Sequence, residues 1–112
     1  MKLLLAEDEP SLSRAVQVLL ERNGYSVDPV FDGETALDAI SNGIYDAAIL
    51  DIMMPKKDGL EVLKAVRQAG NRIPVLLLTS RTLFNTASVG NIISGIPKRS
   101  NSPFSDRFHP QG

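Results

Sequence analysis

The sequence predicts an α/β fold with a doubly wound parallel sheet, on the strength of three observations. Short apolar runs alternate with amphipathic helical segments at the spacing of single βαβ units. The runs Ala47-Ala48-Ile49-Leu50 and Val75-Leu76-Leu77-Leu78 are apolar without interruption, the mark of strands buried in a sheet. Finally, Glu7, Asp8, Asp51 and Thr79 stand at the ends of such runs, where a parallel α/β sheet places its ligand crevice.

The elements follow in order. Residues 2–6 form a short buried strand, an apolar run ended by three acids and a proline. Pro10 suits the first turn of a helix, where its missing N–H is no loss. Leu12, Ala15, Val16, Leu19 and Leu20 then recur at helical spacing, and Asn23-Gly24 ends the helix. Residues 26–30 make a second strand. Asp32 caps a helix that turns Ala36, Leu37 and Ile40 inward and stops at Asn42-Gly43. A third strand, from Ala47, finishes at Asp51. Asp58 and Glu61 have capping-box spacing for a helix with Leu60, Leu63 and Val66 inward, closed by Gly70-Asn71. Residues 74–79 make a fourth buried strand.

Beyond Arg81 the texture changes. The remainder is rich in Ser, Asn, Gly and Pro, and Pro97, Pro103 and Pro110 interrupt any pattern. Residues 1–80 carry eight Lys or Arg against twelve Asp or Glu, a net of −4; residues 81–112 carry four against one, a net of +3. The expectation is one domain over residues 1–81 and a divergent, partly disordered tail over 82–112. Net charge over the whole chain is −1, which gives no reason to expect nucleic-acid binding. The absence of cysteine removes disulfides and thiolate chemistry. The apolar run Leu3-Leu4-Leu5-Ala6 is too short for a signal peptide or a membrane span, so a cytoplasmic location is expected.

If the first and third strands are neighbours, Glu7, Asp8, Asp51 and the Thr79 hydroxyl converge on one shallow cleft. Three close carboxylates repel and raise one another's pKa. A hard divalent cation removes that penalty. Mg2+ suits the site, because it accepts oxygen ligands, keeps several waters and works with one or two carboxylates plus a phosphate. A carboxylate relieved of repulsion in this way can attack phosphorus and form an acyl phosphate.

Leu3-Leu4-Leu5-Ala6-Glu7-Asp8-Glu9-Pro10 and Ile49-Leu50-Asp51-Ile52-Met53-Met54-Pro55, with Asp58-Gly59 after it, resemble the two acidic signatures of response-regulator receiver domains. Ile73-Pro74-Val75-Leu76-Leu77-Leu78-Thr79-Ser80 resembles their fourth strand and switch residue. The resemblance covers about residues 1–81 and implies a flavodoxin-like or CheY-like sheet of order 2-1-3-4, incomplete at its C-terminal edge. It implies a phosphoacceptor at Asp51 and a Mg2+ site made by Glu7, Asp8, Asp51 and the backbone carbonyl of Met53. It further implies a switch hydroxyl at Thr79 and a sensor histidine kinase as phosphate donor, with phosphorylation biasing a two-state surface. Any catalysis would be confined to phosphorylation and dephosphorylation of Asp51.

The chain departs from the family pattern in one chemical respect. Receiver domains carry a lysine, usually followed by proline, after a fifth strand; here the only lysine beyond Thr79 is Lys98, which follows Pro97. Lys98 is the candidate substitute. Without a fifth strand, the fourth would present an open apolar edge, through which two copies could associate. The alternatives are a truncated receiver that only binds a kinase or other partner, and a non-functional fragment. A haloacid-dehalogenase-type phosphatase is disfavoured because Met53 stands where that family needs a second acid. Lys56 and Lys57 read as solvated loop charges and His109 as inert. The motif style is similar to regulators with a C-terminal winged helix, but no direct DNA binding is expected of this chain.

Overall fold

A computed structural model describes residues 1–78. The elements are β1 (Lys2–Ala6), α1 (Pro10–Arg22), β2 (Ser26–Val30), α2 (Gly33–Ser41), β3 (Ala47–Asp51), α3 (Gly59–Gln68) and β4 (Val75–Leu78). Thr79, Lys98 and the expected tail at 82–112 lie outside the described residues.

All strand pairings are parallel, in the order β2-β1-β3-β4. Leu5 lies opposite Pro29 on one side and Ile49 on the other, so β1 is a central strand. Its side chains alternate between two cores, as the period of a strand requires. Leu3 and Leu5 pack with Val16, Leu20, Val27 and Ile49, beneath α1. Leu4 and Ala6 pack on the opposite face with Ala36, Ile40, Leu50, Val62 and Val66, beneath α2 and α3. Both faces are therefore covered, which is why β1 and β3 show continuous apolar runs. Each fully buried leucine contributes roughly 1.5–3 kcal/mol by its removal from water.

The helix ends follow from local chemistry. Glu9 caps α1, its carboxylate accepting the Ser11 and Leu12 N–H groups at 3.1 and 2.8 Å. Asp32 caps α2 through the Thr35 N–H at 2.8 Å. Asp58 and Glu61 complete the expected capping box of α3. After α1 and α2 the chain turns at Gly24 and Gly43, with φ of 91° and 77°, a region glycine enters without a Cβ penalty.

One inward assignment is corrected. Leu60 is 51% exposed, while Gly59, Val62 and Val66 form the buried face of α3. The first turn is set by Gly59, whose N–H donates to the Ile52 carbonyl at 2.8 Å. That contact rotates the helix so that Leu60 points away from the sheet.

The chain runs outward from β1 to β2 and then returns to β3 on the other side of β1. This reversal opens a crevice at the carboxyl ends of β1 and β3, the place where open α/β sheets bind ligands.

Candidate functional site

Glu7 leaves β1 and Asp51 ends β3, so the sheet order brings both to the crevice. The Glu7 N–H donates to the Val30 carbonyl at 3.1 Å, prolonging the pairing of β1 with β2 by one residue. Its carboxylate accepts the Glu9 N–H at 2.9 Å. Asp51 Oδ1 accepts the Met53 N–H at 3.1 Å, which folds the following loop back over the carboxylate. Glu7 is fully buried, Asp51 is 2% exposed, and Asp8 is half-buried. One carboxylate oxygen from each of the three lies within 4.8 Å of the others.

Burial pushes the Glu7 carboxyl up to about 7, and the neighbouring Asp51 and Asp8 carboxylates add to the rise against the opposing Glu9 N–H. A buried acid held among acids is a costly arrangement for an apolar fold to maintain. An oxygen-only donor set of three acids, two of them buried, fits a hard divalent cation such as Mg2+. Beside it lies an open depression of ≈ 480 Å³ lined by Asp8, Ile52, Met53, Met54, Pro55 and Asp58.

Glu7, Asp8 and Asp51 are thus assembled as expected from the strand ends, and Met53 lines the adjoining depression. Thr79 and Lys98 lie outside the described residues. The Ile52 N–H donates to the Leu78 carbonyl at 3.1 Å, so the chain just before Thr79 is tied to the residue just after Asp51.

Three features of the site were not evident in the sequence. A Cβ on Gly59 would sit 2.5 Å from the Asp51 carbonyl oxygen, so α3 can start where it does only with glycine there. A Cβ on Gly33 would sit 1.9 Å from the Lys57 carbonyl oxygen. Lys56, an exposed loop residue as expected, has a φ of 70° and its ammonium lies 3.9 Å from the Asp32 carboxylate, while Lys57 is half-buried. Asp58-Gly59 was the one local signal, and it was read as a helix start and as part of the second acidic signature.

Comparison with known proteins agrees with this architecture. The family model described as the response regulator receiver domain matches residues 3–92. The chain belongs to the response regulator receiver domain family, whose members work with sensor histidine kinases in two-component systems. It is 51% identical over 82 residues to the transcriptional regulatory protein DltR of Streptococcus agalactiae, covering 73% of this chain and 37% of that protein. It is 48% identical over 82 residues to the transcriptional regulatory protein TctD of Salmonella typhimurium, again covering 73% and 37%. The chain therefore spans little more than a third of the length of these relatives. Among solved structures, the receiver domain of the Francisella response regulator 1452 superposes with a TM-score of 0.69 at 34% identity, covering 84% of this chain and 74% of that one. The expected CheY-like parallel sheet of order 2-1-3-4 is thereby established.

Proposed function

We propose that the chain is a phosphoacceptor receiver that takes phosphate on Asp51 from a sensor histidine kinase in the presence of Mg2+. The observation that carries this is the position of Asp51, at the end of a central strand and within 4.8 Å of the Glu7 and Asp8 carboxylates. In the proposed reaction an Asp51 carboxylate oxygen attacks the phosphorus of a phosphohistidine. The O–P bond forms as the P–N bond breaks, and the imidazole leaves with the electron pair. Glu7, Asp8, Asp51 and the Met53 carbonyl would hold Mg2+, which supplies charge neutralisation for the carboxylates and the incoming phosphoryl group. The Met53 N–H, bonded to Asp51 Oδ1, orients the nucleophile by occupying one of its two oxygens. Asp51 is almost wholly buried, which limits the access of bulk water to its carboxylate.

Thr79, which follows Leu78, is the proposed switch hydroxyl, and Lys98 is the candidate cation for the phosphoryl group. The matched relatives are transcriptional regulators, but the net of −4 over residues 1–80 gives these residues no electrostatic attraction to nucleic acid. Among the described residues no helix is long and apolar enough to cross a membrane, and a cytoplasmic location is proposed for the chain.

The test is incubation with acetyl phosphate and Mg2+, followed by intact mass spectrometry beside Asp51→Asn. A single phosphate adduct is expected on the parent and none on the variant. A parent that stays unmodified, or a variant that is still modified, would remove Asp51 from the role. β4 is one of the two edge strands of the sheet among the described residues and is half-exposed along its length. Pairing of a second copy along it is the accompanying proposal, for which sedimentation velocity should show a concentration-dependent dimer; a monomer throughout would end it.

A further inference from the structure

The loop between β3 and α3 is fastened at both ends, by the Met53 N–H on Asp51 Oδ1 and by the Gly59 N–H on the Ile52 carbonyl. Its middle is a tight turn at 55–57. The Lys57 N–H donates to the Pro55 carbonyl at 2.8 Å, and Lys56 between them has a φ of 70°. This is the rarer, strained form of the γ-turn, adopted here by a residue with a full side chain. Such a conformation persists only where its surroundings over-determine it.

The surroundings are the first residues of α2. The same Pro55 carbonyl accepts the Gly33 N–H at 3.4 Å. Gly33 is buried, and a Cβ there would lie 1.9 Å from the Lys57 carbonyl oxygen and 2.5 Å from the Lys57 Cβ. The two backbones are therefore in direct contact, with no room for a methyl group. The Asp32 carboxylate, while capping α2 through Thr35, lies 3.9 Å from the Lys56 ammonium. A steric stop, a backbone hydrogen bond and an ion pair thus converge on three consecutive residues of one strained turn.

We propose that Asp32 and Gly33 are positioning residues for the acidic site. They clamp the 55–57 turn, and through it they hold the segment that carries Met53 beside Asp51. This rests on the acidic cluster being the working site, as proposed above. The clamp acts by restricting the loop. Motion at the start of α2 would accordingly loosen the loop, and a metal bound at the site would tighten it.

The test compares Gly33→Ala with the parent by residue-resolved amide hydrogen exchange and by Mg2+ titration of the acetyl phosphate reaction. In the variant, the Met53 and Lys57 amides should exchange about 10-fold faster while β1 and α1 amides keep parent rates. The Mg2+ concentration for half-maximal modification should rise about 10-fold, the scale at which residues supporting metal ligands act. Adding Lys56→Gly should restore much of both, because glycine accepts the positive φ and lets the turn yield to the new methyl. If Gly33→Ala alone fails to fold, the same comparison is made within the Lys56→Gly background. Parent exchange rates at Met53 and Lys57 in a folded Gly33→Ala protein would overturn the clamp. If the parent itself takes no phosphate, the proposed function fails, while the exchange rates still decide whether the clamp exists.

Discussion

Gly59→Ala should lower the stability of the fold by about 2–3 kcal/mol, the range for overpacking a site that cannot yield. Two effects compete. Alanine favours a helix over glycine by about 1 kcal/mol in the interior, and by less at the first helical position. Against this, the added Cβ would meet the Asp51 carbonyl oxygen at 2.5 Å and the Ile52 Cα at 3.0 Å. Both are backbone atoms, and Asp51 is fixed by its pairing with β4, where it lies opposite Leu78. The steric term therefore wins. At Gly33 the opposing atoms belong to a surface turn, which can give way; at Gly59 they belong to the end of a buried strand. Whatever α3 does to accommodate the methyl displaces Asp51 or breaks the Gly59–Ile52 hydrogen bond, so Mg2+-dependent modification should fall as well. Urea unfolding of parent and variant at one pH measures the first effect. A variant as stable as the parent would show that the approach of α3 to β3 is looser than the contact implies.

How much of this was legible in the sequence depended on how local the cause was. The strands were readable because a strand buried on both faces has to be apolar at every position, as Leu3, Leu4, Leu5 and Ala6 are. The caps were readable because Asp32 and Asp58 each bond an N–H three residues on, a distance visible in the sequence. The carboxylate cluster was readable once β1 and β3 were taken as neighbours. Leu60 was misplaced because α3 carries apolar residues at 60, 62, 63, 65 and 66, a stripe wide enough to rotate either way. What chose the rotation was the contact of Gly59 with β3, which periodicity does not encode. Gly33 was passed over for the same reason: its neighbour, Lys57, is distant in sequence, and a glycine after an N-cap aspartate has no local peculiarity. Lys56 gave no warning at all, since lysine has no preference for a positive φ. The local code thus supplied the elements and the acids, while the contacts that hold the acids in place came from the packing.

Between pH 4.5 and 7, in the absence of divalent cations, the Glu7 carboxyl should make the fold less stable as pH rises. Its ordinary value is 4.5, and burial together with the neighbouring acids raises it to about 7 in the folded chain. The folded state thus holds this proton more tightly than the unfolded state does. Removing it penalises only the folded state, so the contribution of Glu7 is most favourable below 4.5, declines through the window and is fully lost above about 7. The total is on the order of 3 kcal/mol by proton linkage. Asp32 shifts in the opposite direction from a lower starting value and Tyr45 rises from 10, so neither titrates inside the window. A difference measurement isolates Glu7 from every other ionisable group. Glu7→Gln supplies it, because the amide keeps the shape and does not ionise. Urea unfolding from pH 5 to 8 should show the parent losing stability relative to Glu7→Gln, with the gap widest at pH 8. Millimolar Mg2+ should then close most of that gap, since a cation among the three carboxylates stabilises their ionised form and restores what deprotonation removed. Parallel pH profiles for the two proteins would mean that Glu7 ionises freely. A gap that Mg2+ leaves open would mean that the buried acids are not a cation site, and that the repulsion among Glu7, Asp8 and Asp51 is relieved in some other way.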